Sequence, residues 1–192
     1  IECGMFIEPC QLLVRFHPSY LSKWKQGRDE ERKQIEALKN QYGTLLAFNY
    51  PQTIEQKYGV LLPIEDQRNL SAILSYSDVM VNVFSTLMLE ACIFDLPVIN
   101  VGFYNYRNTH LSNSLLKDLT HIKKTINYGA MRIAYSEQEM FELINMYLKD
   151  RSIDHDQRML VRENEAGPNK GRAGKVIAEH LYQVALVALK GK

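Results

Sequence analysis

Ser85 and Thr86 follow directly after an apolar run at residues 79–84, and an apolar helical segment at residues 86–94 comes next. This order predicts a buried strand, covered on both faces, that delivers two hydroxyls onto the first turn of a helix. Unpaired backbone N–H groups and the positive end of the helix dipole make such a turn a phosphate site, to which the hydroxyls add donors. The alternative interpretation is that Ser85 is an ordinary helix N-cap.

Glu90 is the only charged residue between Asp78 and Asp95. It lies one helical turn after Thr86, which places both residues on the same helix face. A carboxylate there can accept two hydrogen bonds from the vicinal diol of a ribose while the helix start holds the attached phosphates. The alternative is a structural ion pair, in which a Lys or Arg holds Glu90.

Two further polar residues belong to the first predicted strand, residues 12–16, and the position after it. His17 can donate to a phosphate or a leaving group, or can be a structural residue. Arg15 lies within the strand, where its guanidinium needs a partner, either a phosphate or Asp78. The loop at residues 104–110 offers donors for sugar hydroxyls, and an equally good interpretation is a solvated loop.

Strand patterns and helix patterns alternate along the chain. The predicted strands lie at residues 12–16, 44–48, 60–62, 79–84, 98–103 and 130–135, and the predicted helices at residues 29–41, 66–77, 86–94, 136–149 and 176–189. Asp66 is the predicted cap of the second helix, and Ser136 with Glu139 forms a capping box at the fourth. Such alternation predicts an α/β fold, Rossmann-like, with an open and mostly parallel sheet and helices on both faces. Ligands of these sheets bind beyond the carboxyl ends of the strands.

The composition excludes several classes of protein. Lys and Arg number 23 against 22 Asp and Glu, and a net charge of +1 gives no field for attracting nucleic acid. Cys3, Cys10 and Cys92 have no metal-ligand spacing and suit reduced thiols, so we expect no disulfide framework and no metal site. The apolar runs are too short for a membrane-spanning segment, and the N-terminus lacks the order of a signal peptide. We expect a cytoplasmic protein, with or without peripheral attachment to a membrane.

Several short motifs follow one another between residues 12 and 103. They are Arg15-Phe16-His17-Pro18, residues 66–74, Ser77-Asp78 with its apolar strand, Ser85-Thr86, Glu90-Ala91 and Leu96-Pro97-Val98-Ile99. In this order they resemble the C-terminal, nucleotide-sugar-binding domain of GT-B fold glycosyltransferases, above all those of bacterial surface-polysaccharide synthesis. The chain is similar also to the CDP-glycerol glycerophosphotransferases of teichoic-acid synthesis and to UDP-N-acetylglucosamine 2-epimerase.

In the glycosyltransferase family this domain binds the nucleotide of an activated sugar, and a separate N-terminal domain binds the acceptor. The resemblance implies that Ser85 and Thr86 contact the diphosphate and that Glu90 contacts the ribose. It implies that Leu62 and Pro63 contact the base edge through their backbone. The catalytic residues that it implies are His17 and Arg15.

The sequence departs from both related enzymes. Phe84-Ser85-Thr86 and a single Glu90 stand where the epimerase has paired glycines and two adjacent glutamates. The Asp-Tyr-Ser-Ser run typical of the teichoic-acid enzymes is missing. These departures weigh against epimerisation and against glycerol phosphate as the transferred group.

The resulting hypothesis is a single nucleotide-sugar-binding domain over residues 1–192, in which residues 164–192 form a flexible loop and a C-terminal helix. The expected partner is a nucleotide-diphosphate sugar, bound as substrate, without a cofactor and without nucleic acid. Because the sequence starts at Ile1 and shows no general base for an acceptor, we expect a separate N-terminal acceptor-binding domain. The alternatives are the related enzymes named above and a nucleotide-binding module without turnover.

Overall fold

The computed structural model describes residues 4–18, 29–56, 59–103 and 120–190. The chain forms two compact units, residues 1–77 and residues 78–192. Each unit contains parallel strands with helices between them in the chain. The α/β class with parallel strands, predicted from the alternation of patterns, is therefore confirmed.

The first unit is built on a two-stranded parallel sheet. β1 (Leu12–Arg15) pairs with β2 (Leu46–Asn49), and Leu12 lies opposite Leu46. Helix α1 (Asp29–Tyr42) lies between the two strands in the chain and begins with three acidic residues, which complement the helix dipole. It leads through a 3-10 turn (Gly43–Leu45) into β2.

An antiparallel hairpin and a helix complete the first unit. β3 (Ile54–Gln56) pairs with β4 (Gly59–Leu61), so the apolar run at residues 60–62 contributes to a hairpin strand. Helix α2 (Ile64–Tyr76) then begins after Pro63, two residues before the predicted cap at Asp66. The prediction that Asp66 caps this helix is wrong because its carboxylate binds Arg15 and the Gln52 N–H instead.

The second unit contains a three-stranded parallel sheet and most of the helices. Its elements are β5 (Met80–Asn82), α3 (Leu87–Ile93), β6 (Val98–Val101), α4 (Thr120–Asn127), β7 (Arg132–Ala134), α5 (Glu137–Lys149), α6 (His155–Asn164) and α7 (Ala173–Lys190). The strand order is β5-β6-β7. Ile99 of β6 packs with Ala134 and Tyr147 in a buried cluster, so one part of the core of this unit lies between the sheet and α5.

The central strand of this sheet is β6, in which all four residues are buried. The sequence pattern predicts the strand at residues 79–84 to be covered on both faces. That prediction is wrong, since Val81 of β5 and Val83 just after it are each 44% exposed. β5 pairs only with β6 within this sheet, and an apolar composition alone does not report how many neighbours a strand has.

Arg158 holds α6 against the turn that follows α3. Its side chain is fully buried, and its Nε donates to Asp95 Oδ1 at 2.7 Å. Its two terminal nitrogens donate to the carbonyl oxygens of Ile153 (2.7 Å) and Arg151 (2.8 Å). Burial raises the pKa of Asp95, but hydrogen bonds from Arg158 and His155 outweigh that effect and leave the pKa below its ordinary value.

The apolar side of α7 is open to solvent. Large apolar side chains that are more than half exposed occur along the helix, namely Ile177, Leu181, Tyr182, Val184, Val187 and Leu189. Even so, neither α7 nor any other helix in the described part of the chain is long and apolar enough to span a membrane.

Ser136 caps α5, as the sequence predicts. The Glu139 N–H donates to Ser136 Oγ at 3.1 Å. The second bond of the predicted capping box is different, because the Glu139 carboxylate accepts from the Tyr135 N–H at 2.7 Å. The pair of side chains therefore fixes the entry into the helix one residue earlier than a standard box does.

We expect Ser136→Ala to lower the free energy of unfolding by about 1 kcal/mol, because the Glu139 N–H loses its acceptor. Urea unfolding measures the loss. Gln138→Ala is the matched control, since the exposed Gln138 side chain bonds only to Glu142 on the same helix. Equal unfolding midpoints for the two variants would contradict a stabilising cap at Ser136.

Candidate functional site

The chain leaves β5 through a strained turn, residues 83–86, which we call the 83–86 loop. Phe84 adopts the left-handed backbone region, with φ of 43°, although its side chain is only 4% exposed. For a bulky residue this conformation costs on the order of 1–3 kcal/mol and persists only where neighbours hold it. The strain lies at the carboxyl end of a parallel strand, where α/β sheets bind their ligands.

Asn100 of the neighbouring strand β6 holds this turn. The Phe84 N–H donates to Asn100 Oδ1 at 3.1 Å. Asn100 is fully buried, and its Nδ2 has no hydrogen-bond acceptor among the described residues. Because the Phe84 N–H is a donor, the amide must present its oxygen to it, which fixes the unpaired group as Nδ2.

Asn82, the last residue of β5, also bonds to the 83–86 loop. Ser85 Oγ donates to Asn82 Oδ1 at 3.0 Å, and Asn82 Nδ2 lies 3.4 Å from the Ser85 carbonyl oxygen. The Ser85 hydroxyl therefore has a defined orientation, with its lone pairs still available. Neither Asn82 nor Asn100 is among the predicted site residues.

The start of α3 differs from the predicted phosphate-binding turn. Thr86 occupies the N-cap position and makes no side-chain capping bond. The Met88 N–H donates to the Ser85 carbonyl (3.1 Å) and the Leu89 N–H to the Thr86 carbonyl (3.0 Å). The prediction that the helix-start amides are unpaired is thus wrong for these two. The alternative that Ser85 is an ordinary N-cap is also wrong, because Thr86 is at the N-cap position and no N–H of the described residues donates to the Ser85 hydroxyl.

The predicted ligand-binding side chains of α3 and the 83–86 loop are accessible. Thr86 and Glu90 are exposed, and Ser85 is half-buried. A buried ion pair at Glu90 is therefore excluded. Ser85 and Thr86 lie between β5 and α3, and Glu90 follows four residues after Thr86 on α3.

Arg15, in the first unit, has protein partners. Its guanidinium donates to Asp66 Oδ2 at 2.6 Å and to Asn49 Oδ1. The Arg15 and Asp66 side chains are 12% and 2% exposed, and Asp66 Oδ1 also accepts from the Gln52 N–H at 3.0 Å. The partner of Arg15 is thus Asp66 rather than Asp78, because the side chain reaches α2 from β1.

The remaining predicted site residues of the first unit lie at the ends of its elements. His17 is exposed, two residues after β1 ends. The Leu62 carbonyl accepts from Gln67 Nε2 at 3.1 Å, and Pro63 is the N-cap residue of α2. Contact of these residues with a base or a leaving group stays a prediction. The predicted sugar-binding loop at residues 104–110 lies outside the described residues.

Cys92, on α3, has no exposed side-chain surface. Burial raises the pKa of its thiol to about 12, so the thiol stays protonated at neutral pH. This group is therefore not a nucleophile. Within the described ranges no three His, Cys, Asp or Glu residues are grouped so that they could hold a metal ion.

The chain matches no protein-family model and no curated protein.

Proposed function

We propose that this chain is the donor-binding domain of a GT-B type glycosyltransferase, which transfers a sugar from a nucleotide-diphosphate sugar to an acceptor in cell-surface polysaccharide synthesis. The observation that carries the proposal is the strained 83–86 loop at the carboxyl end of β5. Ser85 and Thr86 belong to this loop and Glu90 follows four residues after Thr86, and the Thr86 and Glu90 side chains are exposed.

The chemistry of these groups fits a nucleoside diphosphate. Hydroxyls donate to phosphate oxygens, and bonds to a charged acceptor are about twice as strong as neutral ones. The Glu90 carboxylate, one helical turn beyond Thr86, offers two acceptor oxygens of the kind that a ribose diol requires. Donors that stabilise the departing diphosphate lower the barrier to sugar transfer.

The two proposed catalytic residues contribute differently. His17 is exposed at the end of β1 and can donate a proton or a hydrogen bond to a phosphate oxygen. The Arg15 charge is balanced by Asp66. A direct role for Arg15 therefore requires exchange of that partner for a phosphate, and its contribution is the smaller of the two.

A ligand screen tests the proposal. We expect one of UDP, GDP, CDP, ADP and CMP to raise the thermal unfolding midpoint of the full chain. A ligand at ~10 times its Kd stabilises the folded state by about 1.4 kcal/mol. The diphosphates should exceed their nucleosides, because the expected contacts at the 83–86 loop are to phosphate.

Ser85→Ala and Ser71→Ala form a matched pair of variants for the screen. Ser71 lies on α2 and its exposed hydroxyl bonds only to the Gln67 carbonyl on the same helix. Ser85→Ala should weaken the best diphosphate about tenfold, or ~1.4 kcal/mol, and leave the nucleoside unchanged. Absence of any stabilisation by the five nucleotides, or equal losses for the two variants, would overturn the proposal.

A further inference from the structure

Asn100 is unusual among the buried side chains of the second unit. It is the polar residue within β6, whose four residues are all buried. Its Oδ1 accepts from a backbone N–H on another element, and its Nδ2 is buried without an acceptor among the described residues. An apolar side chain at this place would remove the unpaired Nδ2 but would leave the buried Phe84 N–H without its acceptor. The bond to Phe84 is therefore the interaction that the amide contributes at this place.

The bond from the Phe84 N–H to Asn100 stabilises a residue with an unfavourable backbone conformation. Phe84 is held at φ of 43°, and its N–H is buried. Without an acceptor at position 100 that N–H loses its partner, and the backbone of Phe84 is free to return to an ordinary negative φ. Such a change reorients the peptide groups that lead to Ser85 and Thr86. The backbone conformation of the segment that carries both hydroxyls thus depends on the bond from Phe84 to Asn100.

We propose that Asn100 is a positioning residue of the nucleotide site, which holds the 83–86 loop in the conformation that presents Ser85 and Thr86 to a diphosphate. This inference rests on the proposed function for the identity of the ligand. Asn100 is fully buried, and it acts through the Phe84 N–H rather than by contact with the ligand.

The test compares three variants of the full chain. Asn100→Leu removes the acceptor for the Phe84 N–H and keeps a side chain of similar size. Asn100→Asp retains an acceptor oxygen and serves as the conservative variant for the loop conformation. Thr125→Val is the matched control, because Thr125 is equally buried in the second unit but lies on α4.

Two measurements separate a positioning role from a structural one. The first is hydrogen exchange of the Phe84 amide, compared for each variant with its own global stability from urea unfolding. The second is the calorimetric affinity for the diphosphate that binds best in the screen and for its nucleoside, written below as UDP and uridine. In Asn100→Leu we expect Phe84 protection to fall at least tenfold more than global stability explains. We also expect UDP affinity to fall about tenfold with uridine affinity unchanged.

The control variants have different expected results. Asn100→Asp should retain the Phe84 protection, and Thr125→Val should retain both the protection and the preference for UDP. Unchanged Phe84 protection in Asn100→Leu, or a UDP affinity equal to that of the wild type, would overturn the inference. Failure of the folded wild type to bind any nucleotide of the panel would overturn the proposed function, and with it the ligand-binding part of the inference. In that case, hydrogen exchange of the Phe84 amide alone tests whether Asn100 holds the 83–86 loop.

Discussion

Arg158→Ala should lower the free energy of unfolding by about 3 to 5 kcal/mol, the largest effect we expect from any single substitution. The guanidinium is fully buried and donates to Asp95 and to the carbonyl oxygens of Ile153 and Arg151. Truncation removes three hydrogen bonds, two of which leave carbonyl oxygens unpaired, and opens a cavity between α6 and α3.

Two further variants make this test specific, with urea unfolding as the measurement. Arg162→Ala removes an exposed Arg one turn later on the same helix and should change stability by less than about 0.5 kcal/mol. Arg158→Lys retains the charge but not the planar set of donors, so it should fall between Ala and the wild type. Equal stabilities for Arg158→Ala and Arg162→Ala would contradict a structural role for the buried guanidinium.

Acid pH gives a second readout on the same variant. The pKa of Asp95 lies below its ordinary value of 3.8 because hydrogen bonds from Arg158 and His155 outweigh the effect of burial. A carboxylate with a depressed pKa stabilises the fold above its unfolded pKa, and this contribution is lost as the pH falls through the folded pKa. The stability difference between wild type and Arg158→Ala should therefore narrow below about pH 3.8.

Glu90→Gln has the largest expected effect on ligand binding. We expect the affinity for the best nucleotide of the screen to fall ~10- to 100-fold, or about 1.4 to 2.8 kcal/mol, because an amide nitrogen replaces one acceptor of the ribose diol. The fold should keep its stability within about 0.5 kcal/mol, since Glu90 is exposed. Calorimetric titration and urea unfolding measure the two quantities.

The 2′-deoxy form of the same nucleotide provides the decisive control. Wild type should bind the ribose form more tightly than the deoxyribose form, and Glu90→Gln should lose most of this preference. Glu163→Gln, an exposed glutamate on α6, should leave both affinities unchanged. If Glu90→Gln retains the full preference for ribose, Glu90 does not bind the diol.

Local patterns were sufficient for the elements whose signals lie within one stretch of sequence. The predicted helix at residues 136–149 and its cap at Ser136 match α5 because the capping bond joins residues three positions apart. The predicted strand at residues 12–16 matches β1 (Leu12–Arg15) for the same reason, since a β-prone run and a following His-Pro mark it locally. Such signals need no knowledge of the rest of the fold.

Features that depend on partners distant in the sequence could not be predicted from local patterns. Helix α6 was not predicted, because Arg158 and its neighbours look like a solvated charged stretch. Its burial depends on Asp95, 63 positions away. The partner of Arg15, Asp66, is 51 positions away on α2, and the two sequence alternatives, a phosphate and Asp78, did not include it.

The candidate site also contains some features that a local pattern predicts and others that depend on distant residues. The positions of Ser85, Thr86 and Glu90 after β5 follow from the strand-to-helix order, and their exposure agrees with a ligand-binding role. The left-handed Phe84 has no local signature such as Gly or Asn. One signal for Asn100 was present in the sequence, as a lone amide within the apolar run at residues 98–103, and it marks the residue that supports the loop.

The register of the second sheet has a consequence for how this unit assembles. β5 and β6 pair Met80 with Val98, 18 positions apart, whereas β6 and β7 pair Ile99 with Arg132, 33 positions apart. Closing the longer segment costs more chain entropy, by about 0.5 kcal/mol, and pairings that are more local in sequence form faster. The segment from β5 to β6, which carries the 83–86 loop and Asn100, therefore has the lowest entropic barrier of this sheet. We therefore expect the β5–β6 pair, with the candidate site, to form before β7 adds to it.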